Sequence, residues 1–281
     1  MIHAWDKASP PRPDQIDLAQ PVDWSHPQSR GLVAYYPFWL ASSVVAAASD
    51  LALRRHPITD SGDYPSVVGD GTFGRSALYN GSSDRLSKIT TPFFNRGCTI
   101  SAWFNSTSST TRQVLFGKSS HATSTAIMSL DLMGDTAGDP VRMGVYDGSN
   151  ASAAQSTQAY PSGQWALATG AVNANGSTIA WLNGSAKGAD VSITNEPAAT
   201  VMSIGMLYWG GSFSRYFAGR LGEIRVYNRV LSDLEVHNLW HPSRRWGMLR
   251  TLSTRRVFIV PAGPSTCPFF FNRYILRRRF A

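Results

Sequence analysis

The sequence predicts an all-β fold: an antiparallel two-sheet sandwich with a short closing helix and extended arms at both chain ends. From Thr59 to about Trp240, short runs alternate apolar and polar side chains between clusters of Gly, Asn, Asp and Ser, the pattern of many strands with one face buried. Helical periodicity is nearly absent over the same stretch. Charged residues make up only 16% of the 281 residues, against roughly 25% in an ordinary soluble domain, while 24 Gly and 16 Pro supply turn formers. With 43% apolar residues the chain is neither disordered nor a coiled coil.

Residues 1–30 read as an extended N-terminal arm, polar and rich in Asp and Pro, without the apolar core of a secretory signal. Residues 31–240 form the predicted domain. It opens on GLVAYYPFWL, a buried strand, and a possible short Ala-rich helix follows at 41–54; Pro37, the serines and Asp50 argue against a membrane span. The clearest later strands are TISAWF at Thr99, RQVLFGK at Arg112, AIMSLDL at Ala126, VRMGVYD at Val141, WALATGAV at Trp165, STIAWLNG at Ser177, VMSIGML at Val201 and LGEIRVYN at Leu221. Asn183-Gly184 closes one hairpin through a tight primed turn, and Asp147-Gly148, Asn175-Gly176 and Asn80-Gly81 mark further turns. After Asn228, Ser232 and Glu235 stand at capping-box spacing ahead of Val236, Leu239 and Trp240, which predicts a terminal helix with one apolar side.

The ordered blocks GLVAYYPF, FGRSALYNGSSDRLS, CTISAWF, GQWALATGAVNANGSTIAWLNGSAKG and FAGRLGEIRVYNRVLSDLEVHNLW resemble a concanavalin A-like, laminin-G-like jelly roll over roughly Gly31 to Trp240. The final block is the most specific. In such a domain Trp103, Trp165 and Trp181 are expected to fill the layer between the sheets, and Gly219 to let the chain enter the last long strand in close packing. The resemblance also raises calcium as a possible cofactor, with Asp60, Asp63, Asp84 and Asp190 as loop carboxylates. Their spacing is unlike a compact calcium loop. Gly222, where the family commonly has an acid, further weakens transfer of an acidic site.

Aromatic residues in turn-rich stretches are the candidates for a glycan surface: Tyr160, Tyr208, Trp209, Phe213 and Tyr216. Sugar rings stack their C–H faces on such side chains while Asn and Asp bond the hydroxyls. No catalytic residue is assigned. Retaining glycoside hydrolysis needs two close carboxylates, but Arg225 and Tyr227 occupy the same-face positions beyond Glu223, which is expected to pair with Arg220 or Arg225 at a sheet edge. The chain has no phosphate loop ending in Lys, no GxSxG and no HExxH.

The net charge of +8 divides sharply: residues 1–240 hold 17 Lys plus Arg against 18 Asp plus Glu, and residues 241–281 hold 9 Arg and no acid. Phe269, Phe270, Phe271 and Tyr274, with Arg277, Arg278 and Arg279, make this C-terminal arm a candidate for docking on a protein neighbour rather than on nucleic acid, for which the nearly neutral body offers no matching charge. Cys98 and Cys267 do not constitute a disulfide scaffold, and one bridge between them stays open. The expectation is a non-catalytic structural or decoration-type protein of a larger assembly, of the kind seen in bacteriophage and environmental-virus particles, located on a virion or an extracellular surface and able to bind surface glycans. A free-standing carbohydrate-binding module is the alternative, and a glycoside hydrolase a more distant one.

Overall fold

The computed structural model describes residues 22–39, 63–89, 94–120, 126–209 and 211–249. The possible helix at 41–54, Asp60, Cys267 and the docking candidates from Phe269 to Arg279 lie outside these residues. In chain order the elements are β1 (Leu32–Pro37), β2 (Ser66–Asp70), β3 (Gly74–Asn80), β4 (Leu86–Ile89), β5 (Cys98–Ser106), β6 (Arg112–Ser119), β7 (Ile127–Met133), β8 (Pro140–Tyr146), β9 (Ala151–Ala159), β10 (Ala166–Val172), β11 (Thr178–Leu182), β12 (Ala186–Asp190), β13 (Val201–Ile204), β14 (Leu207–Trp209), β15 (Ser212–Ser214), β16 (Ala218–Tyr227) and α1 (Asp233–Trp240).

Two antiparallel sheets face each other. The eight-stranded sheet runs β12-β11-β10-β5-β16-β3-β2, with β1 also paired to β16; the six-stranded sheet runs β4-β13-β6-β7-β8-β9. Because successive side chains point to opposite faces, β5 sends Cys98, Ile100, Ala102 and Phe104 between the sheets, where they join Ile224 and Val226 of β16 and, from the other sheet, Phe116, Met128, Leu130, Val141 and Met143. Two turns need unusual backbone. Asn183 and Gly184 both have positive φ (53° and 73°), as the predicted β11–β12 hairpin requires. At Gly219, φ is +139° and a Cβ would stand 2.2 Å from the Asn105 carbonyl oxygen, so only glycine lets β16 enter against β5.

The tryptophans correct the sequence reading. Trp103, Trp165 and Trp181 lie on the outer face of the eight-stranded sheet, because the opposite strand phase already fills the inter-sheet layer. There they join Tyr35, Trp39, Phe73, Leu239, Trp246, Met248 and Leu249 in a second apolar cluster. Trp103 stacks on Trp240 at 5.0 Å between centroids, and Trp181 donates to Asp233 at 3.0 Å. Helix α1 closes this cluster with Val236 and Leu239, anchored by the predicted capping box: Ser232 Oγ accepts from Glu235 N–H and Glu235 accepts from Ser232 N–H. Residues 22–30 and 241–249, assigned to arms from the sequence, contribute too: Val22 bridges to Leu249, and both are buried. The described residues all fall in one unit, Met1–Thr251; a second unit, Leu252–Ala281, lies outside them. Among the described residues no helix is long and apolar enough to cross a membrane.

Candidate functional site

The site is built on the short ribbon β14–β15, where Tyr208 pairs with Phe213. Alternation sends Leu207 and Trp209 to one side, where they pack on Val114 and Ile127 of the six-stranded sheet. It sends Tyr208 and Phe213 to the other. Their rings meet edge to face at 4.9 Å, and Phe213 keeps 38% of its surface exposed. The Arg85 guanidinium lies 4.3 Å from the centre of the Phe213 ring and donates to Asp63 at 2.9 Å. Tyr64, beside Asp63 and 40% exposed, was not singled out in the sequence.

Of the five aromatic candidates, the structure therefore brings Tyr208 and Phe213 together on one face of the ribbon and puts Trp209 on the other. Tyr216 is half-buried on the stretch leading into β16. Tyr160 is a correction: it is only 3% exposed and packs edge-on against Phe104 in the inter-sheet core, its hydroxyl donating to the Ser108 carbonyl. The backbone bond from Tyr160 N to Asp139 O holds it there, turned inward at the end of β9.

Behind the ribbon, the outer face of the six-stranded sheet carries a charged group that the sequence reading missed. Asp131 stands opposite Val114 of β6 and Arg142 of β8. Its Oδ2 accepts from Arg112 at 2.5 Å and from Arg142 at 3.0 and 3.1 Å. Burial pushes the Asp131 carboxyl up, but Arg142 and Arg112 outweigh burial and hold it below the usual carboxylate value. Arg215 follows the ribbon in a left-handed backbone conformation (φ 55°) and is tied to β6 by a Val114 N–H bond to its carbonyl. Burial and the like charge of Arg112 lower the pKa of its guanidinium. Tyr146, on the same face of β8 as Arg142, meets Trp209 at 6.2 Å. The legible signals were the polar phase of β7, Ser129 and Asp131, and the Arg-x-Gly-x-Tyr phase of β8.

Glu223 also departs from expectation. It sits in β16 between β5 and β1, not at an edge, and is 2% exposed on the outer face of the eight-stranded sheet. It pairs with Arg225 at 2.6 Å and accepts from Tyr35, Trp39 and Trp246; Arg220 pairs instead with Asp70. Arg245 covers it from above, 3.9 to 5.5 Å from the ring centres of Trp246, Trp103 and Phe73.

The calcium candidates do not assemble. Asp84 holds the backbone and side chain of Asn80, Asp63 holds Arg85, and Asp190, on β12 at the far edge of the eight-stranded sheet, accepts from Ala153 and Ser192 N–H groups. Among the described residues no group of three or more His, Cys, Asp or Glu is placed to hold a metal ion. Cys98 is fully buried, and burial pushes its thiol up to about 12.

The two-sheet order, the capped closing helix and the Gly219 entry agree with a family model that matches residues 80–237, described as the concanavalin A-like lectin/glucanases superfamily (Laminin_G_3). The chain belongs to this superfamily. Among solved structures, this lectin/glucanase-type domain is similar to domain 4 of AbnA, a GH43 extracellular arabinanase from Geobacillus stearothermophilus, solved with arabinotriose: TM-score 0.60 at 19% identity, covering 75% of this chain and 98% of that one. A heptameric SAP-like pentraxin from Limulus polyphemus matches at TM-score 0.45 and 16% identity, covering 58% of this chain and 80% of that one. The CBM40 of a Ruminococcus gnavus sialidase, bound to α2,3-sialyllactose, matches at TM-score 0.44 and 15% identity, covering 56% and 98%. No curated protein matches the chain by sequence.

Proposed function

We propose that this chain is a non-catalytic glycan-binding protein that recognises sugar through the β14–β15 ribbon. The observation that carries the reading is the Tyr208–Phe213 pair: two rings fixed edge to face, Phe213 open to solvent, with the Arg85 guanidinium beside them as donor. Such a platform stacks the C–H face of a sugar ring while the cation bonds its hydroxyls. The arabinotriose held by the AbnA domain makes arabino-oligosaccharides one natural probe. The non-catalytic part is supported by the two buried carboxylates, Glu223 and Asp131, which lie on opposite outer faces of the sandwich and are each held by arginine.

A glycan array run with and without calcium tests the proposal. Wild type binds at least one neutral oligosaccharide, and Phe213→Ala loses about tenfold or more in affinity with its unfolding midpoint nearly unchanged, since an exposed ring contributes little to stability. Absence of binding by folded protein on both arrays overturns it.

A role in a larger assembly is a second reading, favoured by the composition of residues 252–281, which mix Arg with Phe269, Phe270, Phe271 and Tyr274 and contain no acid. Its measure is native mass. Full-length protein then forms oligomers that a chain ending at Thr251 does not, and equal monomeric masses for both sink it.

A further inference from the structure

We propose that Arg112, Arg142 and Arg215 form a receptor for the anionic group of an acidic saccharide, a second subsite behind the ribbon. Three guanidiniums surround one carboxylate. Asp131 is fully buried and already bonded to Arg112 and Arg142, and Asp135, the next acid in the field of Arg142 and Arg215, is exposed. Among the described residues Arg215 has no ion-pair partner, and its Nη1, like the Nε of Arg112, is a buried donor without a hydrogen bond. Bringing like charges together in a half-buried setting is unfavourable unless an anion completes the group.

The surroundings specify what carries that anion. Trp209 and Tyr146, half-buried and 6.2 Å apart, stand on the same sheet face as the arginines. They offer ring surface to a sugar whose carboxylate or sulfate meets the guanidiniums, which are shaped for two-pronged bonding to either group. The saccharide part rests on the glycan-binding reading above; the anion part stands on the arginines alone. The arginines keep part of their side chains in solvent, 15% for Arg112 and 18% for Arg142, so the ligand meets the cluster from its rim.

Calorimetric titration with trigalacturonate, its methyl ester and a chondroitin sulfate tetrasaccharide tests this on the full chain. Wild type binds at least one of the two acidic sugars, and which one assigns carboxylate or sulfate. Arg215→Asn, which deletes the charge with a residue that tolerates the left-handed backbone, weakens that binding about tenfold or more. Arg215→Lys, which keeps the charge, retains more of it than Asn does. Neutral-sugar binding at the ribbon is unchanged in both. Without ligand, Arg215→Asn unfolds at the same temperature as wild type or higher, whereas a purely structural arginine would show a lower one. The proposal is overturned if neither acidic sugar binds, if Arg215→Asn binds them like wild type, or if the methyl ester equals trigalacturonate. Neutral binding that survives any of these leaves the ribbon reading standing, and its loss in Phe213→Ala alone belongs to the ribbon.

Discussion

The two outer faces of the sandwich solve one electrostatic problem in different ways. Each holds a buried carboxylate outnumbered by arginines: Glu223 with Arg225 and Arg245 on the eight-stranded sheet, and Asp131 with Arg112, Arg142 and Arg215 on the six-stranded one. On the first face the protein itself absorbs the surplus charge. The Arg245 guanidinium lies over three aromatic rings, Arg225 donates to the Arg245 carbonyl, and the indole N–H groups of Trp39 and Trp246 turn toward Glu223. Rings substitute for water there, since their negative faces attract cations. On the second face the covering ribbon is only three residues a strand, and the arginines reach solvent. The same kind of charge cluster serves cohesion where aromatic rings seal it and is available for recognition where they do not.

The largest expected effect falls on the sealed face. Glu223→Gln leaves Arg225 and Arg245 buried without their counter-charge and destabilises the domain by about 3–5 kcal/mol, the usual result of removing one partner of a buried pair. Urea unfolding measures it; a loss below about 1 kcal/mol would place the pair in a far more hydrated setting than the described one. Asp131→Asn is expected to cost less, about 1–3 kcal/mol, because its partners gain solvent when released. That variant also has a pH signature. The folded Asp131 carboxyl sits below its ordinary value, so its contribution is complete above about pH 4 and is lost as pH falls through the folded value. Wild-type stability therefore drops more steeply than that of Asp131→Asn below about pH 4. Parallel curves between pH 2 and 5 would contradict the assignment.

Elements with strong local signals were legible in the sequence, and those defined by their partners were not. The strand at Thr99, the Asn183-Gly184 turn and the Ser232–Glu235 cap each rest on side chains a few residues apart. In contrast β9, Ala151–Ala159, is built from Ala, Ser, Thr and Gln; its strand state comes from pairing with β8 rather than from its own weak β propensity. The ribbon was half legible. Aromatic residues near glycines flagged Tyr208, Trp209 and Phe213, but which of them share a face follows from the register Tyr208↔Phe213. Tyr160 carried the same local signal and is buried, because a turn-rich context does not report which way a side chain faces. The direction of the tryptophans was open to the alternation in β5, where Cys98, Ile100, Ala102 and Phe104 already occupied the inner phase. What concealed it was the cover over the outer face, assembled from segments as far apart as Val22, Phe73 and Trp246. Asp131 and its arginines come from three strands and a loop, a coincidence of register that no single segment encodes.

The smallest effect tests how far the sealed face depends on its own lid. Helix α1 is a two-turn element whose cap draws on Ser232 and Glu235, and Arg229 grips the same Glu235 carboxylate at 2.6 and 2.9 Å. The Arg229 bonds, opposed by partial burial, bring the Glu235 carboxyl down to about 2. Ser232→Ala removes the hydroxyl that accepts from Glu235 N–H and is expected to cost about 1 kcal/mol, the typical value of an N-cap. The loss stays this small because Val236 and Leu239 remain buried in the aromatic cluster and the Arg229–Glu235 pair survives. Urea midpoints give the number, and the glycan array gives the contrast: α1 covers the eight-stranded sheet while the ribbon lies on the six-stranded one, so affinity at the ribbon should not change. A binding loss in Ser232→Ala that matches that of Phe213→Ala would mean that the two faces communicate through the inter-sheet core, and the separation of cohesion from recognition would fail at that point.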